Sequence, residues 1–187
     1  MHSEGEKMTT PSQDGYHMPG EFEPHRGCVM IWPVRPGSWP HGAKAAQAAF
    51  TRIARTIAES EQVFMCAYGT GLVQAREVFA KDECVQVLEL ETEDAWARDI
   101  GPTFVVNGKG MVRGVDWRFN AWGGAEGLCD SWDKDVTVAD SVVKLLGASA
   151  KSCELTLEGG NLTSNGHGTV VAVKAAIVNK NRNPDMT

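Results

Sequence analysis

Apolar and polar positions alternate with two different periods along this chain, and each change of period marks an element. The run Cys28–Pro33, CVMIWP, is short, apolar and stopped by proline, which predicts a buried strand. Over about 43–59 the period lengthens. Phe50, Ile53, Ala54 and Ile57 then share one face at i, i+3, i+4 and i+7, predicting an amphipathic helix. QVFMCAY reads as a second strand, and a helix over about 70–80 carries Leu72, Val73, Val78 and Phe79 into the apolar run VQVLEL, another buried strand. The segment TFVV-NGKG-MVRGVDW predicts a β-hairpin whose Asn-Gly gives a tight turn with positive φ. A third helix spans about 134–146, with Val138, Val142, Leu145 and Leu146 as its apolar face and Gly147 as its C-cap. CELTL is the next strand, and EGGNLTSNGHGTVVAV predicts a second Asn-Gly hairpin.

Alternating strands and helices place the chain in the α/β or α+β class. The helices are expected to be separated by more than one strand, hairpins included. That departs from strict βαβ alternation, and no G-x-G-x-x-G follows a strand. The two hairpins match each other. One reads Asp99-x-Gly101, an apolar strand, Asn107-Gly108-x-Gly110 and Val112. The other reads Glu158-x-Gly160, a strand, Asn165-Gly166-x-Gly168 and Val170. This weak repeat predicts modules about an axis, with Asp99 and Glu158 at equivalent strand ends facing one cavity.

Composition narrows the partners. The chain has 187 residues, 42% hydrophobic and 22% charged, with formal net charge -6 and a pI near 5.4. No Lys/Arg cluster stands out, so a nucleic-acid partner is not expected and a small cation fits better than a phosphate. No apolar run approaches the roughly 20 residues that span a bilayer, so no membrane partner is expected. MHSEGEKMTTPSQDG lacks the apolar core of a secretory signal. Five widely spaced cysteines without a Cys-x-x-Cys pair argue for a reducing cytoplasm over a disulfide framework or zinc site, and Cys28 and Cys66 read as small core residues. Residues 1–17 read as a flexible arm and 18–187 as one domain.

The densest chemistry is EDAWARDIGP, where Glu93, Asp94, Asp99, Arg98 and Trp96 follow directly on the apolar VQVLEL. Two carboxylates facing one cavity repel unless a cation or a shared proton lies between them. The histidines at 2, 17, 25, 41 and 167 are too scattered to complete a metal site. A guanidinium is planar, permanently charged and paired bidentately by carboxylates, and Trp96 and Trp122 can stack on it. The same residues also suit plain structural roles. An Asp before Gly-Pro caps a turn, a Glu before Gly-Gly accepts backbone N–H groups, and Arg98 reads as an ion-pair partner.

MPGEFEPHRGCVMIWPVRPGSWP, EDAWARDIGPTFVVNGKGMVRGVDWRFNAWGG and LEGGNL…NKNRNP resemble the agmatine deiminases of the Porphyromonas-type peptidylarginine deiminase family, from about Met18 to the last residues. The resemblance implies a pentein, five ββαβ-like modules around a pseudo-fivefold axis. It also implies hydrolysis of a small guanidinium substrate, agmatine, to N-carbamoylputrescine and ammonia without metal or organic cofactor. In that chemistry a cysteine thiolate attacks the guanidinium carbon and water resolves the intermediate. The resemblance assigns Asp99 and Glu158 to the catalytic, guanidinium-binding carboxylates, and Trp96 and Trp122 to the pocket lining.

There are departures too. Family members are nearly twice as long, with a nucleophilic cysteine in a Gly-rich segment and a His-x-Asp motif in their second half. Neither occurs here, Asn-Leu-Thr follows EGG where a histidine usually takes the third place, and VKAAIV replaces an acidic, cysteine-containing stretch. The expectation is therefore the N-terminal half of a deiminase, about half of the five modules, inactive alone. Its apolar strand VVAVKAAIV is expected to drive self-association or pairing with a complementary C-terminal half. Other readings are a fragment of an arginine or protein-arginine deiminase, a non-catalytic half-propeller that binds a cation or a partner chain, and an unrelated hydrolase using Asp99 and Glu158 as an acid/base pair.

Overall fold

The structure, a computed structural model, describes residues 9–186. Of the expected arm, residues 1–8 lie outside the described part. The remainder is docked. Tyr16–His17 form strand β1, paired antiparallel with Val106 and Asn107. The Tyr16 ring is buried beneath the Arg113 guanidinium, 4.2 Å from its centroid, and Arg113 pairs with Asp14 at 2.6 Å. One aromatic ring holds a polar segment whose composition reads as free chain.

Strands β2 (Gly27–Ile31), β3 (Gln62–Ala67) and β4 (Val85–Glu89) form a parallel sheet in that order, linked by helices α1 (Lys44–Ile57) and α2 (Gly69–Val78). The alternation here is strictly βαβαβ, which corrects the expectation of more than one strand between helices. Parallel neighbours need a crossover each time, and a helix supplies it. Hairpins begin only after β4. Met30, Val63, Met65 and Val85 point to α1 and α2, meeting Ala54, Leu72, Ala75 and Phe79. Ile31 and Cys66 point the other way, to a second core with Ile100, Phe119, Val138 and Val142. Both faces are covered, which is why these strands read as nearly continuous apolar runs.

The helical faces are narrower than the spacing predicts. Ile53, Val73, Val78 and Leu145 are exposed, while Ala54, Ala75 and Val143 are fully buried. A helix laid on a flat sheet buries one stripe, and small side chains occupy its line of closest approach.

Beyond β4 come α3 (Ala97–Ile100), β5 (Thr103–Asn107), β6 (Val112–Arg118), α4 (Val138–Leu145) and β7 (Ser149–Thr156). The second sheet has the order β1-β5-β6-β7, with β5–β6 antiparallel and β6–β7 parallel. Helix α4 lies between the two sheets, with Val138 and Val142 in the second core and Val143 against Gly114 of β6. Gly147 closes it with φ +67, as expected.

The repeat survives at atomic detail. Asn107 Oδ1 accepts the N–H groups of Lys109 and Met111, both at 3.0 Å, and Asn165 Oδ1 accepts those of His167 at 2.9 Å and Thr169 at 3.1 Å. The asparagine side chain builds each turn. Positive φ falls on Gly110 in the first turn, rather than on Asn107-Gly108, and on Gly166 and Gly168 in the second. The second hairpin is short, β8 (Leu162–Ser164) with β9 (Val170–Ala172), followed by α5 (Lys174–Ile177). VVAVKAAIV is thus strand only over its first three residues. Asn161 Oδ1 captures the Val173 N–H at 2.8 Å and turns the chain away.

Candidate functional site

Two turns far apart in sequence lie against each other. Helix α3 carries Asp99, and the turn after β7 carries Glu158, Gly159 and Gly160. The Gly160 N–H donates to Asp99 Oδ1 at 3.1 Å. A Cβ on Gly160 would stand 2.1 Å from that oxygen, so only glycine permits the approach. Arg98 clamps the same junction, its Nε donating to the Gly159 carbonyl at 3.2 Å and its Nη2 to the Leu162 carbonyl at 2.9 Å, and it pairs with Glu21. That is the structural role read for it in the sequence.

The two acids differ electrostatically. Burial pushes the half-buried Asp99 carboxyl above the usual carboxylate range, while the Gly160 N–H, the Trp122 indole and the Arg98 charge oppose it. Among the described residues Asp99 makes no ion pair. Glu158 is buried, 5% exposed, and its Oε1 accepts Nε of Arg182 at 2.7 Å.

The two tryptophans are held by different neighbours. Ala121 and Trp122 have φ of 52 and 61, a left-handed stretch that costs energy for residues with a Cβ. Its supports are the hydrogen bonds from Gly123 N to Asn120 Oδ1 at 3.2 Å, from Asn120 Nδ2 to the Asn181 carbonyl at 2.8 Å and from Leu128 N to the Ala121 carbonyl at 3.2 Å. Trp122 meets Phe119 edge-on with centroids 5.1 Å apart. Trp96, 52% exposed, stacks on Trp39 at 6.2 Å, and Trp39 stands edge-on to Phe50. One face of the Trp96 ring is covered by Trp39.

Not every acid of EDAWARD belongs to the site. Asp94 and Asp135 are buried around Arg35, whose Nη2 lies 2.6 Å from Asp135 and whose Nε lies 3.4 Å from Asp94. Asp135 Oδ1 also accepts from Thr92 Oγ1 at 2.8 Å and from the Glu93 N–H at 2.9 Å. Asp94 accepts the Trp96 N–H at 3.2 Å. Burial pushes the Asp94 carboxyl up, and the Trp96 N–H and Arg35 oppose it. These groups frame the loop that presents Trp96.

Three of the thiols are shifted away from the thiolate form. Burial pushes Cys66 up to about 12 and raises Cys28 and Cys129, the opposite of an activated nucleophile. Cys66 is a core residue, as expected. Among the described residues no group of three His, Cys, Asp or Glu is arranged to hold a metal ion. No described helix is long and apolar enough to cross a membrane.

Sequence reasoning missed Trp39, Asn120 and Arg182. Arg182 left a usable signal. A buried acid needs a cation, and Arg182 is the only arginine after Glu158. Trp39 left none, because it sits in a Pro/Gly-rich loop without periodicity.

A sequence profile of the Porphyromonas-type peptidyl-arginine deiminase family matches residues 17–187. The chain belongs to that family. It is 45% identical over 181 residues to the agmatine deiminase of Ectopseudomonas mendocina, covering 96% of this chain and 49% of that protein. Against the agmatine deiminase of Pseudomonas aeruginosa the identity is 43% over 181 residues, with the same coverage of 96% and 49%. A solved agmatine deiminase of Enterococcus faecalis superposes with TM-score 0.92 at 38% identity, over 97% of this chain and 50% of that one. The chain spans about half the length of the curated relatives it matches. The fold is the mixed α/β arrangement of these deiminases, represented by about half of a pentein.

Proposed function

We propose that this chain supplies the guanidinium-binding wall of an agmatine deiminase-type hydrolase, which converts agmatine and water to N-carbamoylputrescine and ammonia, a step toward putrescine. The observation that carries the reading is the junction of Asp99 with the Glu158–Gly160 turn, with the Trp122 indole beside Asp99. In this scheme Asp99 accepts N–H groups of the substrate guanidinium, and the cation offsets the cost of holding that carboxylate half-buried. Glu158 supplies a second acceptor beside it. The rings of Trp96 and Trp122 enclose the planar cation and its alkyl chain.

Attack on the guanidinium carbon needs a thiolate and a base. The 187 residues hold no His-x-Asp motif, and three of the thiols are shifted away from the thiolate form. These residues alone therefore bind the substrate without turning it over, and a complementary segment or chain brings the nucleophile and base. The scheme uses no metal or organic cofactor. The unpaired cysteines suit a reducing cytoplasm.

The test is incubation of the purified chain with agmatine while ammonia and N-carbamoylputrescine are quantified. No turnover is expected. Turnover that Cys129→Ser abolishes would show that the chain is a complete catalyst and contradict this division of roles.

A further inference from the structure

We infer that Arg182 is a positioning residue of the guanidinium site: it holds one oxygen of Glu158 and leaves the other open to the bound cation. The inference rests on the reading of Asp99 and Glu158 as substrate-binding carboxylates.

The geometry of the pair is one-sided. Nε of Arg182 donates to Oε1 of Glu158 at 2.7 Å, with the two side chains 13% and 6% exposed. An arginine paired for stability alone commonly presents two parallel N–H groups to both carboxylate oxygens. Here, among the described residues, Oε2 takes no hydrogen bond, and it is not among the polar atoms sealed from solvent without a partner. One oxygen is fixed and its twin stays available.

Arg182 is itself held from three directions. Asn183 Oδ1 accepts the Thr156 N–H at 2.9 Å, and Asn183 Nδ2 donates to the Thr156 carbonyl at 2.9 Å and to that of Ile177 at 3.0 Å. On the other side, the Asn181 carbonyl accepts Asn120 Nδ2 at 2.8 Å. The guanidinium packs on Gly123, where an added Cβ would lie 2.9 Å from Nη1. Gly123 follows Trp122. A single guanidinium thus ties the turn bearing Glu158 to the loop bearing Trp122.

A purely structural arginine would act on the fold, not on substrate affinity through Glu158, and a double-mutant cycle separates the two. Agmatine is titrated into the 187-residue chain while the Trp96 and Trp122 indole resonances are followed by NMR, with thermal melts confirming folding. The variants are Arg182→Met, Arg182→Lys, Glu158→Gln, the double Glu158→Gln/Arg182→Met, and Asp99→Asn as control for the site itself. Arg182→Met is expected to weaken agmatine roughly tenfold, Arg182→Lys to recover most of the loss, and Arg182→Met to add less than about twofold on top of Glu158→Gln.

Affinity unchanged in a folded Arg182→Met, with loss in Asp99→Asn, overturns this inference alone. Should Arg182→Met fail to fold, the double variant, in which both buried charges are gone, carries the test. Equal affinity in Glu158→Gln and the double variant supports the inference, and a further tenfold loss, roughly, in the double variant overturns it. An unaltered chain that does not bind agmatine overturns the site reading and the inference together.

Discussion

The backbone N–H of Gly160 donates to Oδ1 of Asp99 at 3.1 Å, between residues 61 positions apart in the sequence. Asp99 is thus held by a main-chain dipole and carries no cation of its own. Glu158, two residues before Gly160, already has the Arg182 guanidinium. Arg98, at the same junction, pairs with Glu21, so in the proposed scheme Asp99 is the acid left for the substrate guanidinium.

The close approach makes Gly160 a sensitive position. Gly160→Ala places a Cβ 2.1 Å from Asp99 Oδ1 and must part the two turns. Urea denaturation should show a loss of about 1–3 kcal/mol, the usual cost of forcing an extra carbon into a contact with no room for it. An unchanged midpoint would mean that the junction is loose.

Asp99 also sets a pH dependence. Burial raises its folded-state pKa above the unfolded value near about 3.9, so within that window the folded chain binds more protons than the unfolded chain. Stability from this group is full below the unfolded value and is lost as pH rises through the folded one. Asp99→Asn keeps an acceptor for the Gly160 N–H and removes the charge. Its stability relative to the unaltered chain should therefore rise with pH across this range and level off by neutrality. A difference that stays flat, or falls, with pH would contradict the assigned burial.

Much of this was legible in the sequence, for physical reasons. The parallel sheet buries both faces, so its strands announced themselves as apolar runs. The two hairpins share an asparagine that caps its own turn, so Asp99 and Glu158 align in the sequence itself. Contacts between loops were not legible. Trp39 meets Trp96 through a Pro/Gly-rich loop, and Arg182 reaches Glu158 through an asparagine-rich turn, and neither kind of segment carries a period. The buried Arg35–Asp94–Asp135 group also joins separate segments, and no spacing in the sequence links them. In VVAVKAAIV the composition called for a strand, but one hydrogen bond from Val173 to Asn161 ended it.

That buried group is the frame of the Trp96 loop. Arg35 is the only cation paired with Asp94 and Asp135 among the described residues, and both acids are almost fully buried. Arg35→Met should cost about 3–5 kcal/mol, because it strands two buried carboxylates. Chemical denaturation measures this directly, and a loss below about 1 kcal/mol would show that water reaches the acids freely.

The apolar edge remains after the correction to its length. Val170, Val171 and Val173 are 52%, 67% and 62% exposed on and beside β9, at the edge of a two-stranded sheet. Such an edge recruits another chain. Sedimentation velocity should show concentration-dependent association, reduced in Val171→Lys/Val173→Lys along with apolar-dye binding. A monomeric unaltered chain that binds no dye would show that the edge is self-sufficient.

The most direct test of the guanidinium wall compares agmatine with putrescine, which has the same alkyl amine but lacks the guanidine. Both are titrated into the chain and into Asp99→Asn, with the Trp96 and Trp122 indole signals as reporters. The account predicts saturable agmatine binding, weak and on the order of millimolar for an open wall. Putrescine should bind at least about tenfold more weakly, and the preference should vanish in Asp99→Asn. Equal response to the two ligands, or a guanidinium preference that survives Asp99→Asn, would contradict it.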